Sequence, residues 1–272
     1  MTVEKFDLWN SVPGECMEVP TITAYIPDEK KSEGAVVIFP GGAYWDRAKH
    51  EGAGYAKFLA ENGITAFDVA YRVGGHKHPC QLLDARRAVK FARFYAEKYG
   101  IDKTKIAVMG SSAGGHLAAL VSTYFDNIDI EIEQDEIEKE DFIPNAQILC
   151  YAVIRLLGKG IGCFGTGANL LGDKLATMGE DFQPDMIASE KTPQAFIWHT
   201  ATDGAVNVCQ SYMYASALKK LNIDVEMHIF PHGKHGIGIC VGDINKYEEP
   251  EILEHNAQWT TLLLNWLRYI GF

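Results

Sequence analysis

The stretch Lys105-Ile-Ala-Val-Met-Gly-Ser-Ser-Ala-Gly-Gly-His-Leu-Ala118 decides the fold. Ile106 to Met109 is a short run of apolar, β-favouring residues, the pattern of a fully buried strand. Without a break, Ala113 to Phe125 reads as an apolar helix. Between them Gly110-Ser111-Ser112-Ala113-Gly114 matches G-x-S-x-G. Alone that pattern says little. Between a buried strand and an apolar helix it describes a sharp turn that lifts the Ser hydroxyl into the open, and the turn needs small neighbours because the two backbones nearly touch.

Outward from this turn the alternation continues. Strands are predicted at 34–40, 64–71, 145–154, 194–200 and 225–231, and helices up to Asn62-Gly63, over 81–99, over 207–221 and over 251–270. Apolar strands alternating with helices imply an α/β fold with a mostly parallel central sheet and helices on both faces. No repeat and no Pro/Gly/Ser-rich linker appears, so residues 1–272 are read as one domain. Two segments interrupt the pattern. Residues 129–141 (DIEIEQDEIEKED) hold eight acids and one Lys and read as an acidic surface excursion. Residues 155–192 are long and Gly-rich, and read as a pocket-covering insertion.

A Ser hydroxyl needs a base, and the base an orienting acid. In a sheet of this kind both follow the Ser, each just past a later strand. Asp203 follows strand 194–200, and His235, in His232-Gly-Lys-His235-Gly-Ile-Gly238, follows strand 225–231. His232 is the competing base, set aside because glycines follow His235 and let its loop approach the Ser. Asp224 precedes its strand, Asp243 follows the His, and Asp173 and Asp185 precede the strand ending at Thr200. The catalytic residues are therefore read as Ser112, Asp203 and His235. Backbone N–H groups must meet the developing oxyanion. The N–H of Ala113 is one. The turn Pro40-Gly-Gly-Ala-Tyr-Trp45 supplies the others, at Gly42 and Ala43. Tyr44 and Trp45 are expected to wall the acyl or alcohol pocket, with core packing the alternative for either.

The remaining clusters read as structural. His76-Lys-His78 lacks a third ligand and is expected to be a solvated loop. His116 is expected to be packed, and His199, in a strand, to be a satisfied core histidine. Cys163 has no turn to activate it, and no metal site is expected. Six cysteines without C-x-x-C spacing read as reduced thiols.

These residues carry a resemblance to a known family. The chain resembles the α/β-hydrolase branch of acetyl-xylan-esterase-like and feruloyl-esterase-like carbohydrate esterases, some of them labelled endo-xylanase-like. The resemblance runs from about Pro20 to the C-terminus. It rests on Pro40-Gly-Gly-Ala-Tyr44, His50-Glu-Gly52, Tyr71-Arg-Val73, His78-Pro79 with Asp84-Ala-Arg-Arg-Ala88, and Gly110-Ser-Ser-Ala-Gly-Gly-His-Leu-Ala118. Further on it rests on Asn169-Leu-Leu-Gly172, Trp198-His-Thr-Ala-Thr-Asp203 and His235-Gly-Ile-Gly238. It implies a single-domain α/β-hydrolase fold and places the family's triad on Ser112, Asp203 and His235, with oxyanion donors at Gly42–Ala43 and Ala113. Ala43 stands where Gly is usual, Asn207 where Pro is usual, and 129–141 is an insertion.

The expected activity is a serine esterase acting on small acyl esters, acetyl esters of sugars or xylo-oligosaccharides above all, through an acyl-enzyme and without cofactor. Amide hydrolysis by the same triad, formamidase- or peptidase-like, is the alternative, and would call for a charged anchor such as Arg155. A non-catalytic binding protein on the same fold is a third reading, opposed by the intact triad. Lys and Arg number 25 against 36 Asp and Glu, a net charge of −11, which disfavours nucleic acid and anionic membranes as partners. Seven of those negative charges are the net contribution of 129–141. The N-terminal residues show no secretory pattern and no run reaches about 18 apolar residues. The expected setting is cytoplasmic; a homo-oligomer is left open.

Overall fold

The computed structural model describes residues 1–272. Eight strands form one sheet: β1 (Thr2–Asp7), β2 (Thr21–Ile26), β3 (Ala35–Phe39), β4 (Thr65–Ala70), β5 (Ile106–Ser111), β6 (Ala146–Cys150), β7 (Gln194–Thr200) and β8 (Val225–Phe230), in the order β1-β2-β4-β3-β5-β6-β7-β8. From β4 to β8 every pairing is parallel. The helices are α1 (Ala53–Glu61), α2 (Cys80–Phe94), the single turn α3 (Ala96–Tyr99), α4 (Ser112–Val121), α5 (Phe164–Leu171), the short α6 (Leu175–Met178) and α7 (Pro184–Ile187), α8 (Cys209–Lys220) and α9 (Pro250–Tyr269).

The central strands are apolar throughout because each faces helices on both sides. Val37 of β3, Val108 of β5 and Ile197 of β7 enter a 44-residue core with α2, α4 and α8. Their neighbours Val36, Ala107 and Trp198 point the other way, into a 22-residue core with α1 and α9. Successive strand side chains alternate faces, so each strand feeds both layers.

The sequence reading did not anticipate β1 and β2. They pair antiparallel with each other and with β4. β1 (TVEKFD) lies at the sheet edge with no residue fully buried, so it carries no long apolar run to reveal it. Residues 129–141 lie at the surface, with Asp129, Glu131, Glu133, Glu136 and Asp141 exposed, while Asp135 and Glu138 tie the segment to α2. Arg87 on α2 makes a two-pronged pair with Asp135 (2.7 and 2.5 Å) and reaches Glu138 at 3.1 Å. Lys90 meets Glu138 at 2.5 Å. Ile130, Ile132 and Ile137 pack against the larger core. Asp135 and Glu138 thus face the basic side of α2.

Asp68 on β4 gives a stability prediction. Burial pushes its carboxyl up to about 6, with Arg47 and Lys5 acting against the shift. Its folded pKa therefore lies above its unfolded one, the reverse of a salt-bridged acid. The unfolded chain ionises first, so stability from this site is fully present below about pH 4 and is lost as pH rises toward 6. Asp68→Asn should raise stability at pH 8 by on the order of 2 kcal/mol and change little at pH 4, read by denaturant unfolding at the two pH values.

Candidate active site

The turn between β5 and α4 holds Ser112 at φ +53°, a left-handed conformation that a non-glycine residue adopts only under constraint. The neighbouring backbone explains the small residues around it. A Cβ added at Gly114 would run into the carbonyl oxygen of Phe39 on the adjacent strand. The strained turn aims the Ser112 side chain at the carboxyl ends of β7 and β8.

There the structure brings Ser112, His235 and Asp203 together. Ser112 Oγ donates to His235 Nε2 at 2.9 Å, and His235 Nδ1 donates to Asp203 Oδ2 at 2.7 Å. His232 is not in this series; its carbonyl accepts from Asn256. Asp203 Oδ1 accepts the N–H groups of Ala205 (2.8 Å) and Val206 (2.9 Å). Burial alone would raise the Asp203 pKa. The hydrogen bonds from His199 and His235 outweigh it and hold the carboxyl well below the usual carboxylate range.

His199 is fully buried with both ring nitrogens satisfied, as expected of a core histidine, and one of its partners is Asp203. Its Nε2 lies 3.1 Å from both Asp203 Oδ2 and Val206 O, and its Nδ1 lies 2.8 Å from Ser211 Oγ. Two acceptors at Nε2 require the proton there, so Ser211 donates to Nδ1 and a neutral ring is fully satisfied. Asp203 Oδ2 therefore receives two imidazole N–H groups.

The turn after β3 carries Gly42 at φ +132°, Ala43 at +54° and Tyr44 at +59°. Any Cβ on Gly42 would strike the carbonyl of Asp46, which fixes glycine there. The Gly42 carbonyl accepts from Trp45 and Asp46, while the Gly42 and Ala43 N–H groups donate to no protein acceptor. Ala113 stands in the first turn of α4, where N–H groups have no intrahelical partner. Gly42, Ala43, Ser112 and His235 share one cavity of about 590 Å³.

The pocket roles expected for Tyr44 and Trp45 do not hold. Tyr44 is fully buried. Its hydroxyl donates to His116 Nδ1 at 2.7 Å, and His116 Nε2 donates to the Phe182 carbonyl at 2.8 Å. The left-handed turn swings Tyr44 into the core, and burial lowers the His116 pKa to about 4, keeping it a neutral acceptor. Trp45 is 66% exposed, and neither ring lines the cavity. The solvated loop expected at 76–78 is also absent. His76 is buried, its Nδ1 2.7 Å from Val73 O and its Nε2 accepting the Met17 N–H at 2.9 Å. No group of three or more metal-binding side chains comes together anywhere.

A buried polar chain lies beneath the site. Glu51 is 3% exposed; its Oε2 accepts the Gly41 N–H (2.9 Å) and its Oε1 the Tyr151 hydroxyl (2.7 Å). Tyr151 in turn accepts the Gly238 N–H at 3.1 Å and sits 3.1 Å from the Tyr55 hydroxyl, which lies 2.9 Å from Ser111 Oγ. Burial raises both phenol pKa values, so they remain donors. This chain ties the β3 turn, the loop after β8 and the nucleophile turn to one another. Asn169 on α5 adds a further tie by donating to the Ala43 carbonyl at 2.8 Å. Reasoning from the residues did not assign roles to Glu51, Asn169 or His199, although each stands in a motif that carried the resemblance.

Comparison with known proteins places this arrangement. Residues 22–218 match the BD-FAE family. The chain belongs to that family. Residues 180–260 also match the prolyl oligopeptidase family, over the stretch that holds Asp203 and His235. Among solved structures, BD-FAE membership is accompanied by similarity to an acetyl ester-xyloside bifunctional hydrolase from Caldicellulosiruptor lactoaceticus. The two are 37% identical with a TM-score of 0.86, over 99% of this chain and 97% of that one. An α/β hydrolase from a deep-sea metagenome library is 26% identical with a TM-score of 0.76, over 99% of this chain and 98% of that one. The fold is that of the α/β hydrolases.

Among curated proteins, an endo-1,4-beta-xylanase B of Butyrivibrio fibrisolvens is 32% identical over 82% of this chain and 35% of its own length. An acetylxylan esterase of Xylanibacter ruminicola is 28% identical over 95% of this chain and 50% of its own length. This BD-FAE chain therefore spans about a third to a half of those two relatives. No helix is long and apolar enough to cross a membrane.

Proposed function

We propose that the protein is a serine esterase that removes acetyl groups from short sugar esters. The observation that carries this reading is the Ser112–His235–Asp203 series beside the unpartnered N–H groups of Gly42 and Ala43 in one cavity. Ser112 Oγ attacks the ester carbonyl while His235 Nε2 takes its proton, and Asp203 steadies the imidazolium. The N–H groups of Gly42, Ala43 and Ala113 hold the oxyanion. His235 then gives its proton to the leaving alcohol, and a water activated by His235 releases acetate.

Amide hydrolysis with a charged anchor is the weaker reading. None of the 17 cavity-lining residues is Lys or Arg. Arg155 is taken by Asp185, with Nε at 2.9 Å and Nη2 at 2.6 Å from one carboxylate oxygen. Glycoside cleavage by two carboxylates also lacks support, because Glu51 is the one carboxylate lining the cavity and both its oxygens are engaged. The six unpaired cysteines support a reducing, cytoplasmic setting in which the substrates are imported oligosaccharides. The test is release of acetate from acetylated xylo-oligosaccharides, from acetylated polymeric xylan, and of p-nitrophenol from p-nitrophenyl xyloside. Acetate from the oligosaccharides, well above the other two signals, is expected. Preference for the polymer would overturn the proposed substrate, and turnover of the xyloside alone would overturn the esterase reading.

A further inference from the structure

One wall of the cavity is the start of α5, and it is unfinished as protein. Cys163, Gly165 and Thr166 line the cavity. Phe164, Gly165 and Thr166 form the first turn of α5, and their N–H groups donate to no protein acceptor. No side chain caps this end. A helix start normally satisfies such donors with a Ser, Thr, Asp or Asn side chain or with water. Here the capping position is Cys163, whose thiol burial pushes up in pKa, so it remains neutral.

A second observation is independent of the helix end. Thr166 is 8% exposed as a residue and lines the cavity, and its hydroxyl forms no hydrogen bond with the protein. It does not turn back onto a carbonyl of the preceding turn, as Thr123 does with Ala119. The hydroxyl oxygen keeps access to solvent, so a group bound in the cavity can take the place of water on it. Gly165 beside it leaves open space, since a Cβ built there meets nothing within 4 Å. The position is fixed relative to the reacting centre, because Asn169, one turn along α5, holds the Ala43 carbonyl.

We infer that the first turn of α5 and the Thr166 hydroxyl form the subsite that recognises a free hydroxyl group of the sugar carrying the ester. The exposed N–H groups donate to a hydroxyl oxygen, and Thr166 Oγ1 accepts or donates as the sugar requires. A helix start also suits a carboxylate. The cavity disfavours one: Glu51 lines it and no Lys or Arg does. A neutral polyhydroxyl group fits both the donors and the charge. This inference rests on the esterase reading and adds to it the part of the substrate that is read.

The test compares two esters, a monoacetylated methyl xyloside and cyclohexyl acetate, which offers no hydroxyl group. The readout is the ratio of their kcat/KM values. Wild type should prefer the xyloside. Thr166→Val, nearly the same in shape, should lower the ratio about tenfold, and Thr166→Ser should restore most of it. Equal ratios in wild type and Thr166→Val, or a wild type with no preference between the esters, would overturn the subsite while leaving the esterase reading intact. A wild type inactive on both esters would overturn the esterase reading and this inference with it.

Discussion

Ser112→Ala should reduce kcat on acetyl esters by roughly 10⁴- to 10⁶-fold, down to what the oxyanion donors and binding alone supply. The size follows from the geometry. His235 Nε2 has Ser112 Oγ as its partner at 2.9 Å, so without that oxygen no protein nucleophile faces the base. The one other candidate in the cavity, Cys163, has its thiol pushed up by burial and donates no bond to His235. The fold should tolerate the change. Ser112 is held by its backbone, whose carbonyl accepts the Val153 N–H at 3.0 Å, and Ala meets the left-handed turn no worse than Ser does. The check is p-nitrophenyl acetate turnover alongside a thermal melt. A variant as active as wild type would remove Ser112 from the mechanism.

The same residue shows what a sequence can disclose. The strand–turn–helix around Ser112 was legible because every requirement is local: apolar residues before, apolar residues after, small residues between. The central parallel strands were legible for a similar reason, since burial on both faces leaves an uninterrupted apolar run. β1 was not, because an edge strand needs no such run and TVEKFD shows none. Tyr44 stayed open between pocket and core because its direction depends on two successive left-handed residues, Ala43 and Tyr44, and nothing in the residue types fixes that geometry. Asp135 and Glu138 could not be told from their exposed acidic neighbours, because their partners, Arg87 and Lys90, lie some fifty positions away in sequence and meet them only across the fold. His199 and Glu51 have the same character. Their roles lie in contacts between elements, Glu51 with Gly41 and Tyr151, and His199 with Asp203 and Ser211.

Those contacts make Asp203→Asn the most informative change to the acid. Activity should fall about 10⁴-fold with the fold retained. Asp203 uses both oxygens as acceptors: Oδ1 for two backbone N–H groups, Oδ2 for His235 and His199. An Asn has one acceptor oxygen. Its better placement keeps that oxygen on Ala205 and Val206 and turns the NH₂ toward the two imidazoles. His235 must then accept at Nδ1 and carry its proton on Nε2, facing Ser112, where it cannot receive the hydroxyl proton. His199 keeps Val206 O as an acceptor, so the loss concentrates on His235. In wild type the depressed pKa keeps Asp203 ionised across the working range, so Asp203 itself adds no step to the pH dependence of kcat/KM there. The same depression has a stability consequence of the usual carboxylate sign. It stabilises the fold above the ordinary Asp range and is lost as pH falls through and below about 4. The Asn variant should show a shallower loss of thermal stability between pH 5 and pH 3 than wild type. A variant within tenfold of wild-type activity would mean that Asp203 does not orient His235.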